Sequence, residues 1–166
     1  MLRLFVALWP DPPTREAVAL WQRAWTWPQG SALVPAERLH LTLHFLGNVP
    51  VQRLASVTDG LKAPFEPVSL EFGWPDVWPN GVAVLRPGSV PSGLLRLHET
   101  LSQRVADLGL PVDDRPFQPH LTLARRATGA QPPPHGPRLR WEADQGYVLA
   151  LSLPGGAGYE VLDRFG

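Results

Sequence analysis

Apolar and polar residues alternate along residues 38–46, Arg-Leu-His-Leu-Thr-Leu-His-Phe-Leu, as far as Phe45, and again along residues 119–125 as far as Leu123. That period of two predicts strands with one buried and one polar face. Residues 2–9 are rich in β-formers and are stopped by Pro10-Asp11-Pro12-Pro13, which predicts a buried strand. Asp11 can cap a helix with Pro12 at its first position. This helix should run to about Trp25, with Val18, Trp21 and Trp25 near one face. A second helix is expected over about 51–62. A third, over about 91–108, carries Leu94, Leu97, Leu101, Val105 and Leu108 at helical spacing and stops at Gly109. Gly47-Asn48 should close the strand before the second helix. Shorter strands are expected near 67–73, 81–86, 138–142, 145–153 and 158–164, and the Pro/Gly-rich stretch 127–137 reads as a loop.

Strand, helix, strand, helix, then mostly strands is the order of an α+β fold with antiparallel sheets and helices on the outer faces. Residues 1–166 contain no linker long enough to divide them, so one domain is expected. Apolar residues make up 44%, enough for a core, and the formal net charge is zero. Zero charge argues against a wholesale grip on long nucleic acid but allows a local basic pocket. The absence of cysteine excludes disulfides, thiolate zinc sites and a cysteine nucleophile. No apolar run approaches the ~20 residues of a membrane helix. A cytoplasmic protein without a membrane partner is the expectation.

The two alternating strands share a tetrapeptide. His-Leu-Thr-Leu occupies 40–43 and 120–123, each time after a proline-containing approach. Strand parity puts His40 with Thr42, and His120 with Thr122, on faces opposite their leucines. If the halves pack as lobes about a pseudo-two-fold, two imidazoles and two hydroxyls meet around one anionic centre. Phosphoryl transfer at a cyclic phosphate needs such a set. One neutral imidazole takes a proton from the attacking oxygen, and one imidazolium gives a proton to the leaving oxygen. An imidazole pKa of ~6.5 suits both roles. The threonine hydroxyls can donate to non-bridging oxygens. Two histidines with no carboxylate nearby make a poor metal site. His44 could add a third ligand, although lining of an outer groove is the preferred reading for it. His98, inside a helix, and His135, in a loop, are assigned no role.

These motifs resemble the 2H phosphoesterase superfamily, in particular its RNA 2',3'-cyclic phosphodiesterase branch, also known as 2'-5' RNA ligase. The resemblance runs from Arg3-Leu-Phe-Val-Ala-Leu8 through Leu39–Gly47 and Arg115–Arg125 to the strands at Ser152-Leu153 and Tyr159–Leu162. It implies a bilobal fold with the two motifs facing across a central cleft. It implies hydrolysis of a 2',3'-cyclic phosphate to a 2'-phosphate without metal or cofactor. Carried over by position, His40 would be the acid for the leaving 3' oxygen, His120 the base for water, and Thr42 and Thr122 the phosphate holders. Arg125 would add a charge-assisted contact and Phe45 would lie near the nucleoside. Parity conflicts with the last two. Arg125 falls opposite His120 unless the strand bulges or ends there, or the side chain reaches round; Phe45 falls with the core leucines.

The implied partners are RNA ends or short oligonucleotides bearing a 2',3'-cyclic phosphate. No protein partner is implied, and a monomer is expected. Ligation through an adenylate needs a nucleophilic lysine, and the sole lysine, Lys62, ends an expected surface helix. Water at about 55 M should outcompete a dilute 5'-hydroxyl, so hydrolysis is expected to dominate a reversible ATP-independent ligation. A non-catalytic protein that binds RNA ends or cyclic nucleotides is the alternative.

Overall fold

The computed structural model describes residues 1–166. In chain order the elements are β1 (Leu2–Leu8), α1 (Pro12–Gln22), β2 (Ala32–Leu33), β3 (Leu41–Val49), α2 (Leu54–Gly60), β4 (Val68–Val77), β5 (Ala83–Pro87), α3 (Ser92–Asp107), β6 (Leu121–Arg125), β7 (Leu139–Ala143), β8 (Tyr147–Ser152) and β9 (Tyr159–Phe165). The expected α+β class and antiparallel pairing hold throughout. No helix is long and apolar enough to cross a membrane.

Local chemistry explains the helix ends. The Asp11 carboxylate accepts from the Thr14 N–H at 2.9 Å, with prolines in the first turn where no N–H is needed. Beyond α3, Gly109 takes φ +72° and its neighbour Leu110 donates back to the Val105 carbonyl, which stops the helix where the sequence placed the stop. Several boundaries differ from expectation. Strand β4 runs on to Val77, and α2 is shorter and covers only Leu54–Gly60. Helix α1 ends at Gln22, short of Trp25, although the Trp25 side chain is still buried. Strand β3 does not close at Gly47-Asn48 but runs to Val49. Gly47, at φ +73°, sits in an irregularity of the β1 pairing that absorbs one residue there.

The strands order as β7-β4-β5-β6-β3-β1-β8-β9, with β2 paired to β6. The two antiparallel sheets expected from sequence are therefore continuous, four strands on each side of one joint. That joint, between β3 and β6, is a single residue pair, Leu41 with Leu121. Cross-strand pairs extend it into a row of leucines: Leu85, Leu121, Leu41 and Leu8, all fully buried. Helix α3 buries Leu94, Leu97, Leu101 and Val105 against this core face, as its spacing predicts. The opposite face of the joint is the floor of a cleft.

Candidate active site

Both motif histidines stand one residue before a strand, His40 ahead of β3 and His120 ahead of β6. The strands run antiparallel with Leu41 opposite Leu121. Carrying that register one residue each way sets His40 across from Thr122 and Thr42 across from His120. The four side chains share the face opposite the leucine row. The sequence thus specifies both the polar groups and, through the adjoining leucines, the joint that brings them together.

The imidazoles are held alike. His40 Nδ1 lies 2.7 Å from the Arg38 carbonyl and His120 Nδ1 lies 2.7 Å from the Gln118 carbonyl. A carbonyl only accepts, so each Nδ1 carries the hydrogen. Each Nε2 is then the atom left to take or give a proton in the cleft. Around His40 the walls are aromatic: Trp9 stacks on it with centroids 4.9 Å apart, and Phe5 and Tyr159 each lie at 5.0 Å. His120 meets the Trp78 ring at 4.6 Å. A cavity of about 340 Å³ opens at the Thr42 and His120 end, bounded by Phe45, Trp78, His98 and Phe117.

The parity conflict over Arg125 and Phe45 resolves through two matching irregularities. In β3, Ala7 pairs with Thr42 and Val6 with His44, so Leu43 is an extra residue. In β6, Val84 pairs with Thr122 and Ala83 with Ala124, so Leu123 is an extra residue. The fourth residue of each His-Leu-Thr-Leu is therefore a bulge, and a bulge reverses the faces of all that follows. Phe45, opposite Phe5, returns to the cleft face, where it is 66% exposed, too open for the core packing that parity allowed. Arg125 likewise turns to the face of Thr122, and its charge is felt at both His40 and His120. The bulge alternative for Arg125 is the one realised.

The same reversal corrects His44. Parity placed it on the His40 face; instead it turns toward α3 and is buried, with Nε2 3.0 Å from the His98 carbonyl and 3.2 Å from Ser102 Oγ. It still lines the cavity, as the groove-lining reading expected. His98, assigned nothing from sequence, stacks between His44 at 4.3 Å and Phe117 at 3.9 Å on the cavity wall. Its helical position gave no sign of this, because the contact depends on how α3 packs beneath β3. Trp9, Trp78 and Tyr159 were equally illegible: each reaches a histidine from a remote strand or loop. No three His, Cys, Asp or Glu side chains gather in an arrangement able to hold a metal ion.

Burial sets the electrostatics. It pushes the His40 pKa down to about 4, against the opposing effect of the hydrogen bond His40 donates to the Arg38 carbonyl, with help from the charges of His120 and Arg125. Burial also lowers His120, again with Arg125 adding to the effect. Both imidazoles are thus held below 6.5, and they titrate as a coupled pair. An anion between them favours the charged forms and raises both. The pH profile of kcat/KM reports the free protein, and that of kcat the complex. On a cyclic-phosphate substrate, kcat/KM should therefore peak on the acid side of 6.5 and kcat at higher pH. Steady-state kinetics across pH 4–9 checks this order; a kcat/KM maximum above 7 contradicts it.

A continuous antiparallel sheet with paired imidazoles across its central joint defines the class of the two-histidine phosphoesterases. Comparison with known proteins agrees: the family profile described as the 2'-5' RNA ligase superfamily matches residues 10–150. The chain is 33% identical to the RNA 2',3'-cyclic phosphodiesterase of Thermus thermophilus, covering 99% of this chain and 89% of that one. It is also 33% identical to the Escherichia coli protein of the same name, covering 80% and 77%. The crystal structure of E. coli LigT complexed with 3'-AMP superimposes with a TM-score of 0.88 at 28% identity, covering 98% of this chain and 96% of that one. The chain belongs to the 2'-5' RNA ligase superfamily.

Proposed function

We propose that this protein is a metal-independent RNA 2',3'-cyclic phosphodiesterase that opens the cyclic phosphate to a 2'-phosphomonoester. The observation that carries the reading is the matched pair of imidazoles. Each is anchored through Nδ1 to the carbonyl two residues before it, and each has Nε2 free at the joint of the two half-sheets. His120 Nε2 takes a proton from water as the water oxygen bonds to phosphorus. The bond from phosphorus to O3' breaks, and His40 Nε2 gives its proton to O3'. Thr42, Thr122 and Arg125 hold the non-bridging oxygens as charge builds on them. The aromatic wall denies His40 water as a stabiliser of its charge, so the bound phosphate is the counter-charge that makes it an acid. Phe45, exposed on the cleft face and beside the cavity, offers a ring to the terminal nucleoside.

The proposal extends to a two-lobed single domain acting as a cytoplasmic monomer on RNA ends or short oligonucleotides. With a 5'-hydroxyl in place of water, the same proton transfers run in the same direction. O5' bonds to phosphorus as His120 takes its proton, the bond to O3' breaks as His40 protonates it, and the ends are joined through a 2'-5' linkage without ATP. Incubation with cytidine 2',3'-cyclic phosphate in EDTA tests the core of the reading. Conversion to cytidine 2'-monophosphate is expected at an undiminished rate. Activity abolished by the chelator and restored by a divalent ion would defeat the metal-free scheme. Tight binding without turnover would establish the non-catalytic alternative.

A further inference from the structure

One buried polar side chain has no part in this chemistry yet touches both motif segments. Gln22, the last residue of α1, is 4% exposed on the buried face that also carries Thr14, Val18 and Ala19. Its side-chain amide donates to the Leu123 carbonyl at 2.7 Å and to the Val34 carbonyl at 3.0 Å. Leu123 is the bulged residue of β6, directly after Thr122 and two residues before Arg125. Val34 opens the segment that leads through Pro35 and Arg38 to His40. The two are also backbone neighbours, since the Val34 N–H donates to the same Leu123 oxygen at 2.8 Å.

The location matters because the β6 ladder changes partner there. Leu121 pairs with β3, whereas Ala124 and Arg125 pair with β2. Between them β6 bulges away from regular pairing with β5. A bulge at a ladder gap leaves its backbone groups without a fixed regular partner. Here the Leu123 oxygen accepts from the Val34 N–H, and the Gln22 amide adds a second donor to it from a helix that is itself capped and packed. On the outgoing side Arg126 holds φ +52°, and its backbone oxygen accepts from Ser31 Oγ at 3.2 Å. Arg125 is therefore fixed between a clamped bulge and a left-handed residue.

We infer that Gln22 is a positioning residue: by holding the Leu123 bulge against Val34 it aims Arg125 into the cleft beside the two imidazoles. The inference rests on the phosphate-binding role of Arg125 proposed above. Gln22→Met keeps the length of the side chain and removes both donors. It should lower kcat/KM on cytidine 2',3'-cyclic phosphate by about tenfold, a usual scale for loss of a supporting hydrogen bond behind a functional group. The decisive measurement is a double-mutant cycle with Arg125→Ala, in which melting temperature is followed alongside turnover. Gln22→Met should cost less than about twofold in kcat/KM once Arg125 is alanine, while its effect on melting is the same in both backgrounds.

Equal fold-losses in kcat/KM in the two backgrounds would overturn the inference and leave the Arg125 reading intact. Wild-type turnover by Arg125→Ala alone would remove the Arg125 reading, and the inference with it. Wild-type turnover by Gln22→Met alone would also overturn the inference.

Discussion

His40→Ala and His120→Ala are each expected to lower kcat/KM on cytidine 2',3'-cyclic phosphate at least ~10²-fold, the usual loss of a positioned acid or base. The expectation follows from the geometry of the pair. Each Nε2 is the sole free nitrogen of its ring, because each Nδ1 is committed to a backbone carbonyl. The losses should not multiply in the double variant, because an acid without its base completes no turnover. The two variants should differ in a second respect. His40 is enclosed by Trp9, Phe5 and Tyr159, so its removal also leaves a gap in an aromatic cluster and should lower the melting temperature more than His120→Ala. Far-UV circular dichroism distinguishes lost chemistry from lost fold. A folded variant of either histidine with near-normal turnover would take that residue out of the scheme.

Leu121→Ala should destabilise the protein by about 2–5 kcal/mol, the range for truncating a buried leucine. Leu121 is fully buried, and it is the residue through which β6 meets β3 on one side and β5 on the other. Its loss opens a cavity inside the row Leu85, Leu121, Leu41 and Leu8, at the one backbone pair that joins the half-sheets. Relaxation around that cavity displaces His120, the next residue. Turnover should therefore fall in folded Leu121→Ala at temperatures well below its melting point. Leu95→Ala, on the exposed side of α3, is the control and should shift stability by less than about 0.5 kcal/mol. Urea denaturation compares them; a Leu121→Ala midpoint matching the control would show that the row does not carry the joint.

Both expectations trace to a tetrapeptide whose residues divide their work. In each His-Leu-Thr-Leu the first leucine builds the joint, the histidine and threonine face the cleft, and the second leucine bulges. The first three assignments follow from a period of two. The fourth does not, because a bulge is set by the neighbouring strand: Leu43 is surplus only against β1, and Leu123 only against β5. Reasoning by parity alone therefore carried Phe45 and Arg125 to the wrong face and His44 to the right-hand neighbour of His40, and all three errors share one cause.

The sequence by itself determined the α+β class, the presence of three helices with the Asp11 cap and the Gly109 stop, and the central strands. Those features depend on alternation, helical spacing and the chemistry of Asp, Pro and Gly, all of which act within a few residues. It determined the two histidines and two threonines for the same reason, as the polar phase of a strand otherwise made of leucine. Tertiary structure alone decided the continuity of the sheet through Leu41 and Leu121 and the faces of Phe45, Arg125 and His44. It also decided the aromatic walls from Trp9, Trp78, Tyr159 and Phe117, and the burial of Gln22 against both motifs. Each of these depends on which remote strand or helix lies alongside, and on the desolvation that follows. No local period in a single chain encodes that.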